Sequence, residues 1–294
     1  MRFGGFVITY HRPQILLETL DKLFAQTYPP ELIWVIDNSE NLETAQAVTS
    51  LEDPRIRYYR MGYNAGPAGA AVKGLQLCTQ EGLDWILWAD DNDPPFFPDT
   101  FEKVLSIRDE APFCGIIGAV GHFFDRKKGI VKRIQSRLLE RKTCVEVDFV
   151  AGGMSMLVSA ELVKSGIKPD GSLFFGFEEL DFCLKASRKG YAILVNSEVF
   201  LALREKHNRT HFDRPLYKKK KNLAREYYSL RNLLFISDSL TLPTMRNRLI
   251  GKWAAKSLYG FKYGIGYGLQ NFRMISLAFW HYFRGIKGKT LPLR

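Results

Sequence analysis

The chain has 294 residues, of which 46% are hydrophobic and 25% charged, and this composition excludes disordered, collagen-like and disulfide-stapled proteins. The net charge of +11 admits nucleic acid, an anionic membrane or a phosphorylated substrate as a partner. Residues 1–203 carry 22 basic and 27 acidic side chains, whereas residues 204–294 carry 20 basic and 4 acidic ones, so the basic character belongs to the C-terminal third.

Short apolar runs and segments of helical composition alternate along the first 90 residues. This alternation predicts right-handed βαβ crossovers and a mainly parallel, Rossmann-like α/β sheet with helices on both faces. Ligands of such sheets bind at the carboxyl ends of the strands. The predicted strands are 3–9, 32–36, 56–59 and 85–89, and the predicted helices are 13–26, 43–51 and 66–81.

The pattern becomes less regular after residue 110. Residues 115–124 and 144–147 predict strands, 149–153 a loop, 154–158 a further apolar run and 179–190 an amphipathic helix. Beyond residue 204 the chain is basic and aromatic, with helical segments predicted near 212–238 and 244–285. We therefore expect an α/β domain over residues 1–210 and a helical extension over residues 211–294.

The cysteines and the N-terminal residues bear on the cellular compartment. The four cysteines form no CxxC pair, so zinc-finger spacing is absent and we expect reduced thiols. The first apolar run is too short for a signal-peptide core, and no apolar stretch reaches the roughly 18 residues that usually span a bilayer. A cytoplasmic protein is expected.

An acidic run, Asp-Asp-Asn-Asp at residues 90–93, directly follows the fourth predicted strand. Hard divalent cations such as Mg²⁺ or Mn²⁺ take one or two protein carboxylates and complete their shell with water and substrate phosphate. The alternative is a turn or helix cap, where Asp and Asn are common. Three acids within four residues repel one another, so a metal site is favoured, but the spacing does not identify its ligands.

Glu178, Glu179 and Asp181 form a second acidic cluster, after the aromatic residues at 174–177. Burial beside aromatic rings would raise the pKa of a carboxylate and suit it to general-base catalysis. The alternative is a helix N-terminus stabilised by its dipole, with Asp181 paired to Lys185 one turn later. Composition alone does not separate the two interpretations.

Other polar positions are individually weak. Asp37 follows the second strand and is suited to capping the next helix. The small residues of 64–69 permit close backbone approach to a ligand but lack the GxGxxG fingerprint. His207 and His211 are spaced i, i+4 without a HExxH motif, which disfavours a zinc protease and leaves a metal-ligand role or an exposed surface histidine.

Taken in order, these motifs resemble the family 2 glycosyltransferases, which have the GT-A fold. The similar group within that family is the rhamnosyl- and galactofuranosyltransferase-like one, which builds bacterial surface polysaccharides. The resemblance covers roughly residues 3–235, and the matching segments are 7–13, 25–30, 36–39, 64–69, 84–92 and 174–191, with 227–232 resembling a segment seen after the downstream histidine.

The resemblance implies a role for each matching position. Many family members have Glu-Asp where this chain has Glu178 and Glu179, so the base is Glu179 by preference with Glu178 as the alternative. The acidic run aligns with the DxD-type triplet in a register that is ambiguous by one or two residues. The implied nucleotide-binding residues are Thr9, Tyr10, Arg12, Asp37, Asn64, Gly66, Asp90 and Asp91; the metal-binding ones Asp91, Asp93 and His207; the catalytic ones Glu179, Glu178 and Asp181; and the acceptor-binding ones Gly152, Gly153 and Met154.

The resemblance also implies an inverting reaction that depends on Mn²⁺ or Mg²⁺. A sugar would pass from a nucleotide-sugar donor, of the UDP-galactofuranose or dTDP-rhamnose type, to a hydroxyl of a lipid-linked or polysaccharide acceptor. Two alternatives are a Rossmann-like oxidoreductase, which lacks its glycine fingerprint here, and a nucleic-acid-binding protein. No nucleic-acid module is recognisable, so we expect no nucleic-acid partner.

Residues 246–284 interleave basic and aromatic side chains. This mixture suits a membrane interface, where each basic residue near an anionic leaflet contributes on the order of 1 kcal/mol. The alternatives are packing on the catalytic domain and an interface of a homo-oligomer. Membrane contact is favoured, and it predicts a protein bound peripherally at the cytoplasmic face of the cell membrane.

Overall fold

The computed structural model describes residues 1–151, 155–209 and 221–292 and has two sheets. The strands are β1 Phe3–Thr9, β2 Ile33–Asp37, β3 Ile56–Arg60, β4 Trp85–Asp90, β5 Cys114–Gly118, β6 Gly121–Asp125, β7 Ile130–Lys132, β8 Cys144–Glu146, β9 Phe149–Val150, β10 Met156–Ser159 and β11 Ala192–Asn196. The central sheet has eight strands in the order β3-β2-β1-β4-β10-β5-β11-β8. Its first four strands are parallel, whereas β10 and β8 run antiparallel to their neighbours.

Helices cover both faces of this sheet and continue beyond it. Because successive side chains of a strand point to opposite faces, Phe6 and Val7 of β1 enter two different apolar cores, and every residue of β1 is buried. The mainly parallel α/β architecture predicted from the sequence is confirmed. The helices are α1 Pro13–Phe24, α2 Glu43–Thr49, α3 Gly66–Gln80, α4 Thr100–Ser106, α5 Ser136–Leu139, α6 Ala160–Lys164, α7 Glu178–Arg188, α8 Ser197–Lys206, α9 Leu223–Ser239, α10 Pro243–Tyr259 and α11 Ile265–Phe283.

The small residues of α3 bring this helix close to the sheet. A Cβ atom on Gly74 would lie 2.3 Å from the ring of Phe6 in β1, so only glycine permits this approach. At the start of the same helix, Gly66 has a φ of +70° and an added Cβ would lie 2.1 Å from the carbonyl oxygen of Phe174. The helix therefore begins in direct contact with the loop that precedes α7.

The single strand predicted over 115–124 is wrong. The chain leaves the central sheet after β5 and enters a three-stranded sheet as β6, in the order β7-β6-β9. Glycines on either side of the break are closely packed: an added Cβ on Gly118 would lie 2.5 Å from Val150, and one on Gly121 2.8 Å from Val195. These contacts with distant strands bend the chain within a continuous apolar run.

The C-terminal helices join the same core as the α/β half. Tyr227 and Tyr228 of α9 are fully buried, and the ring of Tyr228 lies 5.4 Å from that of Phe174. The predicted helix over 212–238 is present from Leu223, and residues 212–220 lie outside the described residues. Within the described ranges, every helix is too short or too polar to cross a bilayer.

Candidate active site

Parallel strands bring the polar residues at their carboxyl ends to one edge of the sheet. Thr9 of β1 is paired with Asp37 of β2, and Asp90 of β4 lies beside Ile8. These three neighbouring strands therefore place one threonine and two acids side by side. This is the edge at which ligands of open α/β sheets bind.

Asp91 is fully buried, and its carboxylate is held by side chains of the neighbouring loop. Thr9 Oγ1 donates a hydrogen bond to Oδ2 at 2.8 Å, and a guanidinium nitrogen of Arg12 lies 2.6 Å from Oδ1. Burial raises the pKa of Asp91, while Thr9 and Arg12 oppose that rise. Asp91 thus joins the loops after β1 and β4, although its Oδ1 accepts no hydrogen bond from the described residues.

Asp90 is only partly exposed and lies among other acids. Burial and, to a smaller extent, the charges of Glu179, Asp91 and Asp93 together raise the pKa of Asp90 to about 7. The chain thus brings the acids of the 90–93 run next to an acid of α7. A divalent cation relieves such repulsion, so the donor set fits a hard metal ion with one or two protein ligands.

Asp93 and His207 flank this cluster. Asp93 is exposed, and partial burial of its carboxylate raises its pKa. His207, at the end of α8, is exposed, and its ring lies 6.0 Å, edge to face, from that of Phe96 in the loop after the acidic run. Among the described residues, His, Cys, Asp and Glu form no group of three arranged to hold a metal ion. Asp90 and Asp93 are the partly buried acids of the 90–93 run that could contribute a carboxylate to such a site.

Asp37 and its neighbours form the rim next to the acidic run. Asp37 is fully buried and accepts hydrogen bonds from the Ser39 N–H at 2.8 Å and the Tyr58 hydroxyl at 2.7 Å. Burial, together with the contact with Asp37, raises the pKa of Tyr58. Tyr10 is exposed at the end of β1 and its ring packs on His11.

The 64–66 loop is ordered by two asparagines. Asn64 Oδ1 accepts from the Gly66 N–H at 3.0 Å, and Asn38 Oδ1 accepts from the Ala65 N–H at 3.1 Å. Asn64 also lines a cavity of about 990 Å³ that extends towards Lys168 and Lys185. Among the described residues that line this cavity, Asn64 is the one that the sequence predicted to bind the nucleotide.

A strained loop leads into α7 and its acids. The Phe175 N–H donates to the Leu173 carbonyl at 2.9 Å, so Phe174, with φ +68° and ψ −63°, is the centre of a γ-turn. Phe177 also has a positive φ, +69°, directly before the helix. Positive φ values cost non-glycine residues of the order of 1–2 kcal/mol each, so other contacts must hold this loop.

The two glutamates at the start of α7 have different environments. Glu178 is buried, and burial together with the charges of Glu179 and Asp90 raises its pKa well above the ordinary value. Its Oε2 has no hydrogen-bond partner among the described residues. Glu179 is partly exposed, and its charge acts on Asp90. Glu178 is therefore suited to be neutral, whereas Glu179 faces the acidic edge with access to solvent.

Asp181 has a different set of contacts. Its Oδ2 lies 2.5 Å from the Lys185 ammonium and accepts a hydrogen bond from the Asp170 N–H at 2.8 Å. These contacts tie α7 to the loop before it, so the carboxylate predicted as a catalytic candidate supports that loop. The predicted acceptor residues Gly152, Gly153 and Met154 lie outside the described residues.

Sequence reasoning missed two residues that hold the strained loop, Arg231 and Asn232 of α9, both fully buried. The Asn232 amide donates to the carbonyls of Leu173, Phe175 and Gly176 at 3.1, 2.8 and 2.9 Å. Arg231 lies against two tyrosine rings and donates to the Leu173 carbonyl and to backbone and hydroxyl groups of residues 288–290. The sequence does carry a signal for them, because Arg231 and Asn232 are adjacent polar residues on an otherwise apolar face of the helix.

Comparison with known proteins identifies the family of the chain. The model of glycosyl transferase family 2 matches residues 6–160, more than half of the chain. Galactofuranosyltransferase GlfT1 of Mycolicibacterium smegmatis is 26% identical over 196 residues, covering 63% of this chain and 65% of the relative. The matched region thus spans slightly less than two thirds of that relative's length.

Two solved glycosyltransferases share the fold. TarS 1-349 of S. aureus, in complex with UDP-GlcNAc, has a TM-score of 0.57 at 15% identity and covers 97% of this chain and 82% of its own. A mannosyltransferase of Pyrobaculum calidifontis, in complex with GDP-Man and Mn²⁺, has a TM-score of 0.52 at 14% identity and covers 99% and 77%. The fold is GT-A, and the oxidoreductase and nucleic-acid-binding alternatives are set aside. With the acids of the sheet edge and of α7 brought together on this fold, the chain belongs to glycosyl transferase family 2.

Proposed function

We propose that this chain is an inverting, metal-dependent glycosyltransferase of bacterial cell-surface glycan synthesis. It transfers a sugar from a UDP-galactofuranose or dTDP-rhamnose type donor to a hydroxyl of a lipid-linked or polysaccharide acceptor. The observation that carries the proposal is the meeting of Asp90 with the acids of α7, because it supplies a cation site and a proton acceptor at one edge. The galactofuranosyltransferase relatives favour the first donor.

The donor lies along the carboxyl edge of the sheet in this proposal. Asp90 and Asp93 would hold Mn²⁺ or Mg²⁺, with His207 beside them, and the cation would stabilise the negative charge that develops on the departing nucleoside diphosphate. Arg12 and Asp91 then shape the site from within, because their ion pair fixes the loop after β1. The nucleotide is held by Thr9, Tyr10, Arg12, Asp37, Asn64 and Gly66.

Glu179 is the proposed general base. It is partly exposed next to Asp90, so an acceptor hydroxyl can approach it beside the donor. Glu179 takes the proton of that hydroxyl as the oxygen attacks the anomeric carbon opposite the leaving diphosphate, and one displacement inverts the configuration. Burial raises the pKa of Glu178 well above its ordinary value, which favours its neutral form beside the base.

The C-terminal helices would place the enzyme at the cytoplasmic face of a membrane. Around the turn between α10 and α11 the chain exposes large apolar side chains beside basic ones. Apolar burial and attraction to anionic lipids together favour interfacial binding. A homo-oligomer is the alternative use of this surface. The exposed apolar side chains, called the 258–272 patch below, are Leu258, Tyr259, Phe261, Ile265, Leu269 and Phe272.

Donor binding and turnover test the proposal. Calorimetry with UDP should show binding that Mn²⁺ or Mg²⁺ strengthens, and equal affinity with and without the metal would contradict the metal role. A panel of UDP-, dTDP- and GDP-sugars should then reveal one donor that is hydrolysed or transferred in a metal-dependent way. Proton NMR of the first product should show the anomeric configuration opposite to that of the donor.

A further inference from the structure

A second cavity, of about 640 Å³, lies among the C-terminal helices, away from the strand-end cavity that contains Asn64. Its walls come from α9, α10, the start of α11 and the strand β7. It also reaches Phe177, the residue immediately before Glu178 at the start of α7. We call it the C-terminal cleft. The lining of this cleft thus includes the residue that directly precedes the acids of α7 in the chain.

Aromatic rings dominate the lining of the C-terminal cleft. Tyr259, Tyr263 and Tyr267 form a ladder in which successive ring centroids are 6.2 and 5.6 Å apart, in edge-to-face contact. Trp253 adds a buried indole. Rings of this kind offer flat apolar faces with polar edges, which suit the apolar face of a sugar or a hydrocarbon chain.

The charged groups of the C-terminal cleft are mainly positive. Among the described residues that line it are Lys221, Lys252 and Lys256 and one acid, Glu226, which forms ion pairs with Lys221 and Lys256. These described side chains carry a net positive charge of two at neutral pH. A ligand that neutralises this charge is an anion, and a lysine ammonium is a common partner of phosphate.

The cleft is continuous with the 258–272 patch. Tyr259 belongs to both, because it lines the cleft and is 50% exposed on the patch. Ile265, at the start of α11, is 75% exposed. An apolar chain lying on the patch could therefore continue past Tyr259 into the cleft, whose lining also includes Phe177.

We propose that the C-terminal cleft binds the acceptor, and that this acceptor is an anionic amphiphile with an apolar chain, a phosphate group and a sugar. The chain lies on the 258–272 patch, the phosphate meets the lysines, and the sugar hydroxyl points past Phe177 towards Glu179. This inference rests on the proposed function and names the acceptor class for it. It places acceptor binding in the C-terminal helices, beyond the residues matched by the family model.

Two neighbouring alanines of α10 provide a matched test. Ala255 lines the cleft and Ala254 does not, and both are exposed. The probe is decyl phosphate below its micellar concentration, measured by calorimetry. Wild type and Ala254→Trp should bind it equally, whereas Ala255→Trp should bind it at least about tenfold more weakly because the indole fills the cleft. Equal binding by the two variants would overturn the proposal.

The charge requirement is tested on the same helix. Lys252 lines the cleft, and Arg248, one turn earlier, is an exposed residue outside it. Lys252→Glu should weaken decyl phosphate binding by about tenfold or more, whereas Arg248→Glu, with the same change in charge, should alter it little. Decyl maltoside, which carries no charge, should bind wild type more weakly than decyl phosphate does. An equal loss of decyl phosphate affinity in both charge variants would indicate general attraction to the basic surface and contradict binding in the cleft.

Metal-dependent UDP binding and donor hydrolysis, measured in every variant, separate this inference from the proposed function. Neither activity needs the acceptor, so Ala255→Trp should retain both and lose transfer. If wild type lacks both activities, the proposed function fails, while the decyl phosphate series still reports on the cleft. If Ala255→Trp transfers sugar as fast as Ala254→Trp at limiting acceptor, the acceptor assignment is wrong although the enzyme assignment stands.

Discussion

Replacement of Asn232 by alanine tests whether α9 holds the loop that leads to the acids of α7. The Asn232 amide donates to the carbonyls of Leu173, Phe175 and Gly176, and no group of alanine can replace it. The Leu173 carbonyl keeps its bond from Arg231, so two carbonyls lose their side-chain donor. The loop that these bonds restrain contains two phenylalanines at positive φ.

The expected effect follows from those contacts. A fully buried carbonyl without a donor costs about 1–3 kcal/mol, and these two are only part-buried, so unfolding should require roughly 2–4 kcal/mol less free energy, below the upper limit for two such groups. The strain at the two positive-φ residues, about 1–2 kcal/mol each, is of similar size. Without the amide, the release of backbone strain is comparable to the free energy that holds the loop in place, so we expect the loop to relax. The first turn of α7 then shifts. A displacement of about 1 Å at the base lowers kcat by around 100-fold.

Asn196 is the matched control. It is a buried asparagine whose amide also donates to a backbone carbonyl, that of Lys103 at 2.7 Å, and it caps α8 away from the acids. Asn196→Ala should lower the melting temperature without changing kcat. Asn232→Ala should lower both while metal-dependent UDP affinity stays near that of wild type. Thermal unfolding, UDP calorimetry and steady-state donor turnover give the three readouts.

The reasoning is refuted if Asn232→Ala melts at a lower temperature yet turns over as fast as Asn196→Ala. In that case the loop keeps its conformation without the amide, and the positive φ values are stable on their own. A fall in kcat accompanied by an equal fall in UDP affinity would also contradict it, because the damage would then extend to the donor side.

Three further predictions concern the acids and the 258–272 patch. Glu179→Gln should abolish transfer and keep UDP binding, and full activity of this variant would disprove the base assignment. Glu178→Gln should retain most activity, because the raised pKa of Glu178 favours a neutral carboxyl group, which the glutamine amide resembles. Asp90 has a pKa raised to about 7 in the folded chain, so without metal its ionisation destabilises the fold as the pH rises from about 4 to 7. Over that range the free energy of unfolding of Asp90→Asn, measured in urea, should increase by up to about 4 kcal/mol relative to that of wild type. A constant difference between the two proteins from pH 4 to 7 would contradict this sign. The fraction of protein that floats with anionic vesicles should fall when Ile265 and Leu269, both exposed on α11, are changed together to serine, and should be unaffected when the exposed Leu42 is changed to serine. Equal flotation of wild type, the double variant and Leu42→Ser would reject the 258–272 patch as the membrane contact.

The first half of the fold could be predicted because three of its first four strands, β1, β2 and β4, are apolar runs that end at polar residues. Parallel pairing then placed Thr9, Asp37 and Asp90 at one edge without any knowledge of side-chain contacts. The break between β5 and β6 could not be predicted, because residues 119 and 120 continue the apolar run. That break results from contacts of Gly118 and Gly121 with strands distant in sequence.

The different contacts made by the individual acids could not be predicted either. Asp90 and Asp91 are adjacent and chemically identical, yet Asp91 is held by Thr9 and Arg12 while Asp90 meets Glu179. Which neighbour a carboxylate meets depends on loops that approach from other parts of the chain. The same holds for Asn232, whose function depends on three carbonyls that lie more than 50 residues before it.

Residues 286–291 return from α11 to the loop before α7, and this has a consequence for synthesis of the protein. The Gly288 N–H donates to the Ser172 carbonyl at 2.7 Å, and the Gly288 carbonyl accepts from Arg231 at 2.9 Å. The ribosome makes these residues more than 100 positions after the loop they secure. A nascent chain with a folded central sheet therefore still lacks part of the support for the loop before α7, and we expect that loop to reach its final conformation only after this late segment has been made and has docked.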